Sequence, residues 1–145
     1  MVVPVRLRVA DLDDRARVER LLADYLFEFD GRTEPYPYLN AYWQEPERVP
    51  FLIESDDEAA GVCLIRRRGD GWNIAEFSVI PSLRRAGVGR AAVEELAVRA
   101  RSERADYLEA KVHPNNREAL PFWLAAGFSE VEFSETGVTV TRRPL

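Results

Sequence analysis

Between Phe51 and Ile80 the chain holds three apolar runs with almost nothing between them. FLIES (51–55) and AAGVCLIRRR (59–68) are joined around Asp56 and Asp57, and WNIAEFSVI (72–80) follows a turn marked by Asp70-Gly71. Parallel strands need a crossover of a dozen or more residues, so connections this short close hairpins instead. An antiparallel meander of three strands therefore has to lie at the centre, and the other elements must be arranged about it.

Upstream, VRLRV (5–9) alternates apolar residues with arginine, the pattern of a half-buried strand. After Asp11, with Asp13 and Asp14 suited to a helix start, Val18, Leu21, Leu22, Tyr25, Leu26 and Phe29 fall on one helical face. The segment 30–50 contains four prolines and predicts a loop with at most a short helix; it carries Tyr36, Tyr38, Tyr42 and Trp43. Downstream, Ala92, Val93, Leu96, Ala97 and Ala100 predict a helix from Val88, and YLEAKV (107–112) predicts a strand. REALPFWLAA (117–126) predicts a helix stopped by Gly127, with Pro121 delaying its start or kinking it, and 128–143 predicts two last strands. The expectation is an α/β (α+β) fold, a mixed and mostly antiparallel sheet flanked by helices. The 145 residues suffice for one core, so 1–145 is expected to be a single domain.

Composition narrows the chemistry. Cys63 and His113 are the one cysteine and the one histidine, which excludes an internal disulfide and leaves few soft ligands, so no metal is expected. Cys63 lies in an apolar strand and reads as core, His113 as a loop residue, and the run Arg66 to Arg68 as a solvated strand end. A formal charge of −5 argues against nucleic acid. No apolar run is long enough to span a bilayer and the N-terminus lacks signal-peptide features, so no membrane association and a cytoplasmic location are expected.

One stretch stands out chemically. PSLRRAGVGRAAVEEL (81–96) places Arg84, Arg85, Gly87, Gly89 and Arg90 between the end of a strand and the start of a helix. Unpaired N–H groups and the positive end of the helix dipole converge there, and glycines let an anion approach the backbone. The spacing fits neither Gly-x-Gly-x-x-Gly nor Gly-Lys-Ser/Thr, which removes the common dinucleotide and P-loop readings.

Arg84-x-x-Gly87-x-Gly89 after Val79-Ile80-Pro81 resembles the acyl-CoA signature of the GNAT superfamily, the Gcn5-related N-acetyltransferases. A second segment, NREALPFWLAAGF (116–128), resembles that family's Asn-x-x-Ala-x-x-Phe-Tyr-x-x-x-Gly-Phe. The resemblance implies a sheet split into a V between the fourth and fifth strands, with acetyl-CoA or another acyl-CoA as cofactor. It implies that the backbone of Phe77, Ser78 and Val79 pairs with the pantetheine arm like an added strand. The N–H groups over Arg85, Ala86, Gly87, Val88, Gly89 and Arg90 would hold the pyrophosphate, with Arg84 heading the motif. Asn116, Phe122 and Trp123 would lie near the pantetheine, Trp123 standing where the family commonly has tyrosine. Tyr36, Tyr38, Tyr42 and Trp43 would contribute to the wall of an acceptor site.

The implied reaction is N-acyl transfer to a primary amine of a small-molecule or peptide acceptor, by a monomer or homodimer. An ammonium must lose a proton before it reacts, and Glu76, on the strand entering the glycine turn, is the carboxylate nominated as base or water-orienting group. Phe77 and Val79 share one face of that strand and Glu76 and Ser78 the other; which face looks into the cleft stays open. The negative net charge would steer cationic acceptors such as polyamines or aminoglycosides. The alternative is a catalytically degenerate acyl-CoA sensor or interaction module.

Overall fold

The computed structural model describes residues 4–145; the first three residues of the expected 1–145 domain lie outside the described residues. Strands β1 (Val5–Val9), β2 (Arg48–Ser55), β3 (Glu58–Arg68) and β4 (Gly71–Val79) form a continuous antiparallel run. Strand β5 (Tyr107–Val112) joins β4 in parallel, and β7 (Thr139–Pro144) and β6 (Ser129–Phe133) complete a seven-stranded sheet in the order β1-β2-β3-β4-β5-β7-β6. Helices α1 (Arg15–Asp30), α2 (Val88–Ser102) and α3 (Ala119–Ala125) flank it.

The hairpins have local causes. Asp56 and Asp57 both take left-handed φ values, 52° and 65°, as a two-residue turn matched to strand twist requires. The second turn is displaced by one residue from its expected place. Arg68 pairs with Gly71, so Gly69, at φ 61°, and Asp70 make the corner. Gly71 lies within the strand, where a Cβ would stand 2.2 Å from the Tyr107 ring. Helix α1 begins one turn later than the acidic pattern predicts: Asp11 caps a short 3-10 turn at Leu12–Asp14, and Asp14 reaches back to the Asp11 N–H. Helix α3 starts at Ala119, which leaves Pro121 in its first turn, where the missing N–H costs nothing.

Two cores lie on opposite faces of the sheet. On one, Ala92, Val93, Leu96 and Ala100 of α2 and Trp123 of α3 pack on Phe51, Cys63, Ile65, Trp72, Ile74 and Val79. On the other, Val18 and Leu22 of α1, with Leu39 and Tyr42 of a 3-10 turn at Leu39–Trp43, pack on Leu52, Val62 and Leu64. Cys63 is fully buried in the first, and burial pushes its thiol up. None of the described helices is long and apolar enough to cross a membrane.

A single extra residue positions the site. Leu64 faces Glu76 while Ile65 faces Ile74, so Ala75 is a bulge in β4. Before it, Trp72 and Ile74 point at α2; after it the alternation is inverted, and Phe77 and Val79 take that face. Glu76 and Ser78 are thereby turned to the α1 side. Beyond the pair Ile74–Ala110, β4 and β5 no longer pair and the sheet opens into a V.

Candidate active site

The open V leads into a cavity of about 1180 Å³ that reaches from the start of α2 to the last turns of α1. Its α2 end is built from backbone. Gly87, at φ 83°, is the N-cap residue, and no side chain caps the helix, so the first N–H groups are left to the cavity. No acidic residue occupies the first turn. A Cβ at Gly87 would meet nothing within 4 Å, whereas one at Gly89 would stand 3.0 Å from the Phe122 ring. Gly87 thus serves a left-handed turn beside open space, and Gly89 lets α2 pass close to α3. Arg85, also left-handed at φ 62°, and Arg90 line the same end. The side chains of Ala86 and Val88 do not: Ala86 is exposed, and Val88 is buried under α2.

Arg84 is already engaged. Its Nε donates to the Val79 carbonyl at 2.8 Å and its guanidinium forms a two-pronged ion pair with Glu28 of α1. That pair holds the Glu28 carboxyl below its ordinary range. Arg84 therefore ties the glycine turn to both β4 and α1, a positioning job as much as an electrostatic one.

Strand β4 supplies an unpaired edge. The Ile80 N–H donates to Ala60 across the β3 side, so by antiparallel alternation the N–H and C=O groups of Phe77 and Val79 point into the V. Below this edge Phe77, Phe122, Trp123 and Phe128 form an aromatic cluster, with ring centroids 5.0 to 5.6 Å apart and mostly edge-to-face. Trp123 is 6% exposed and borders the cavity, as do Phe122 and Asn116.

At the other end Glu76 faces the α1 side. Burial pushes its carboxyl up to about 7, only partly opposed by Arg32 and the Tyr36 hydroxyl. Tyr25 of α1 also lies close, and burial raises its phenol to about 12. Such a carboxyl exchanges a proton near neutral pH.

The wall on that side differs from the sequence expectation. It is formed by Tyr25, Leu26 and Phe29 of α1 and by Arg32 just after it, and none of the four loop aromatics borders the cavity. Tyr38 is 79% exposed, and Trp43 donates its indole N–H to the Ala10 carbonyl. Tyr36 and Tyr42 stand behind the wall, the former beside Glu76 and the latter under the Arg48 guanidinium. The arginine run also departs from the solvated reading. Arg67 pairs with Glu103 and covers Trp72, but Arg66 and Arg68 turn the other way and border the cavity. Strand alternation through Arg66-Arg67-Arg68 was the available signal. His113 is exposed at the cavity mouth.

The sequence profile of the acetyltransferase (GNAT) family matches residues 15–128. No curated protein sequence matches significantly. Among solved structures, a GNAT-family acetyltransferase from Staphylococcus aureus superposes with TM-score 0.81 at 13% identity, over 98% of this chain and 99% of that one. An acetyltransferase from Thermus thermophilus gives 0.80 at 23%, over 99% of each chain. The paiA N-acetyltransferase from Thermoplasma acidophilum, solved in complex with coenzyme A, gives 0.73 at 11%, over 98% and 99%.

Proposed function

The chain belongs to the acetyltransferase (GNAT) family, and from that premise we propose that it transfers an acyl group, acetyl in the first instance, from acyl-CoA to a primary amine of a small-molecule or peptide acceptor. One observation carries the reading: an uncapped helix N-terminus, an unpaired strand edge and a carboxyl of raised pKa open onto a single cavity.

The residues present fit the cofactor. The N–H groups at the start of α2 and the Arg85 and Arg90 side chains suit a pyrophosphate. The free N–H and C=O of Phe77 suit an amide-bearing arm laid along β4, while the Val79 carbonyl is shared with Arg84. When bound, acyl-CoA supplies an activated acyl group whose sulfur departs as a thiol. The chain's own contribution is to bind, orient and move protons. Glu76, ionised above about pH 7, accepts the proton of the incoming ammonium, directly or through a water. The Val79 N–H, aimed into the V, is placed to polarise a carbonyl there. Trp123 offers an indole N–H, which donates a hydrogen bond but is no practical acid, so this position supplies no proton; the proton needed on the leaving sulfur would come from solvent, balanced by the second proton that the attacking nitrogen gives up. A thiol with a pKa near 8.5 is a tolerable leaving group under those terms.

Calorimetry of Gly87→Glu with acetyl-CoA tests the cofactor half. Bulk and negative charge at an open, left-handed position should abolish or greatly weaken binding in a folded protein; unchanged affinity would overturn the assignment. Thiol release across a panel of amines tests the other half, and tight cofactor binding without transfer to any amine would favour an acyl-CoA-binding module instead.

A further inference from the structure

A row of polar side chains crosses the floor of the cavity's α1 side. Strand register aligns Arg48, Arg66, Asn73, Glu109 and Arg142 on β2, β3, β4, β5 and β7; the first four border the cavity, and Arg142 extends the row past its edge. Paired residues share a face, so the five side chains stand side by side. The ends of the row are neutralised: Arg48 by Glu45 at 3.1 Å, and Arg142 by Glu109 at 2.9 Å. Among the described residues Arg66 has no ion pair, and its Nε is buried without any hydrogen-bond partner. It stands directly opposite another arginine, an arrangement that costs stability unless an anion is shared between them. Arg68 and Lys111 add positive charge to the same cavity.

We infer that this row is an anion subsite of the acceptor pocket and that the acceptor is a small zwitterion of amino-acid type, its carboxylate received by Arg66 and its amine presented to Glu76. This rests on the acyltransfer reading above and narrows its acceptor. Glu76 lies opposite Leu64, two residues along β3 from Arg66, a separation of roughly 7 Å along the strand. The ammonium and carboxylate of an amino acid, each at hydrogen-bond distance from its partner, span a gap of that order. A cavity-lining guanidinium without an ion-pair partner is suited to a carboxylate, which it grips with two parallel N–H donors. The acidic net charge of the chain favours cationic acceptors at long range, but the floor of the pocket selects against a purely cationic amine.

Matched pairs test this: L-phenylalanine against 2-phenylethylamine and L-ornithine against putrescine, with thiol release from acetyl-CoA as readout. The zwitterion of each pair should have a kcat/KM higher by roughly tenfold or more, the size expected of one charge-assisted hydrogen-bonded pair. In Arg66→Gln that ratio should collapse toward one, while Arg66→Lys should retain part of it. Equal or better use of the decarboxylated amines, or a ratio that survives Arg66→Gln, overturns the inference. So does a preference for O-phosphoethanolamine over every amino acid, which would assign the row to phosphate. Titration of L-phenylalanine into the cofactor-free protein, followed by amide NMR shifts around β3, separates this from failure of the acyltransfer reading. Arg66-dependent shifts without turnover would keep the subsite and remove the enzyme; absence of both overturns the subsite.

Discussion

Glu76 is where burial and chemistry meet. A carboxyl with an ordinary pKa of 4.5 that titrates near 7 in the fold stays protonated while the unfolded chain has already lost its proton. The folded form then binds more protons between those values, so stability falls as pH rises from 4.5 to 7 and is constant beyond. The full shift corresponds to roughly 3 kcal/mol as an upper figure. Glu76→Gln removes the cost, and urea titrations at pH 5 and pH 8 should show the variant gaining on the parent by clearly more at pH 8, since only a minor part of the cost has appeared at pH 5. Turnover should move the other way: kcat/KM for the parent should rise through an apparent pKa near 7, and Glu76→Gln should lose that limb along with most of its rate. A parent profile without the limb would assign Glu76 to structure. Tyr25, Tyr36, Tyr42 and Arg32 surround the carboxyl, and its shift belongs to that whole setting.

Among the elements, α3 depends most on its surroundings. Seven residues are too few for a helix to persist alone, so packing must hold it in place. Trp123 supplies that packing through Phe77, Phe122 and Phe128. Trp123→Ala should cost about 3 to 5 kcal/mol in denaturant unfolding, whereas Trp123→Phe should keep most of the stability and most of the turnover at saturating cofactor. A stable Trp123→Phe protein without turnover would give the indole N–H a catalytic part. The strands and helices were legible in the sequence because hairpin turns and helical periodicity are local signals. What was not legible came from the bulge at Ala75 and from tertiary contacts. Nothing in NIAEFSV announces an extra residue, yet that residue decides that Glu76 meets the α1 side and Phe77 the aromatic cluster. The glycine turn was readable because Gly87 and Gly89 answer to backbone requirements. The cavity wall on the α1 side was not, since Phe29 and Arg32 reach it only through the way α1 lies over the sheet.

At the scale of the whole molecule, β4 and β5 pair over only Gly71–Ile74 and Tyr107–Ala110 before the sheet opens. A ligand seated in the V would touch both halves and act as a staple. Saturating acetyl-CoA at about a hundred times its Kd should add about 2.7 kcal/mol, or roughly 5 to 10 °C in Tm, and Gly87→Glu should abolish the shift. A parent protein whose Tm does not respond would mean that the folded chain does not bind acetyl-CoA, and a shift that survives Gly87→Glu would place the cofactor elsewhere. The short parallel junction also sets an order of events in time. Strands β1 to β4 are joined mostly through hairpins close in sequence, whereas β5 is reached only after the whole of α2 has been traversed. As the chain leaves the ribosome, the meander and Glu76 emerge well before Asn116 and Trp123 exist. One wall of the cleft is therefore finished while the other is still being translated, and a nascent chain has no pocket to occupy until α3 has been made.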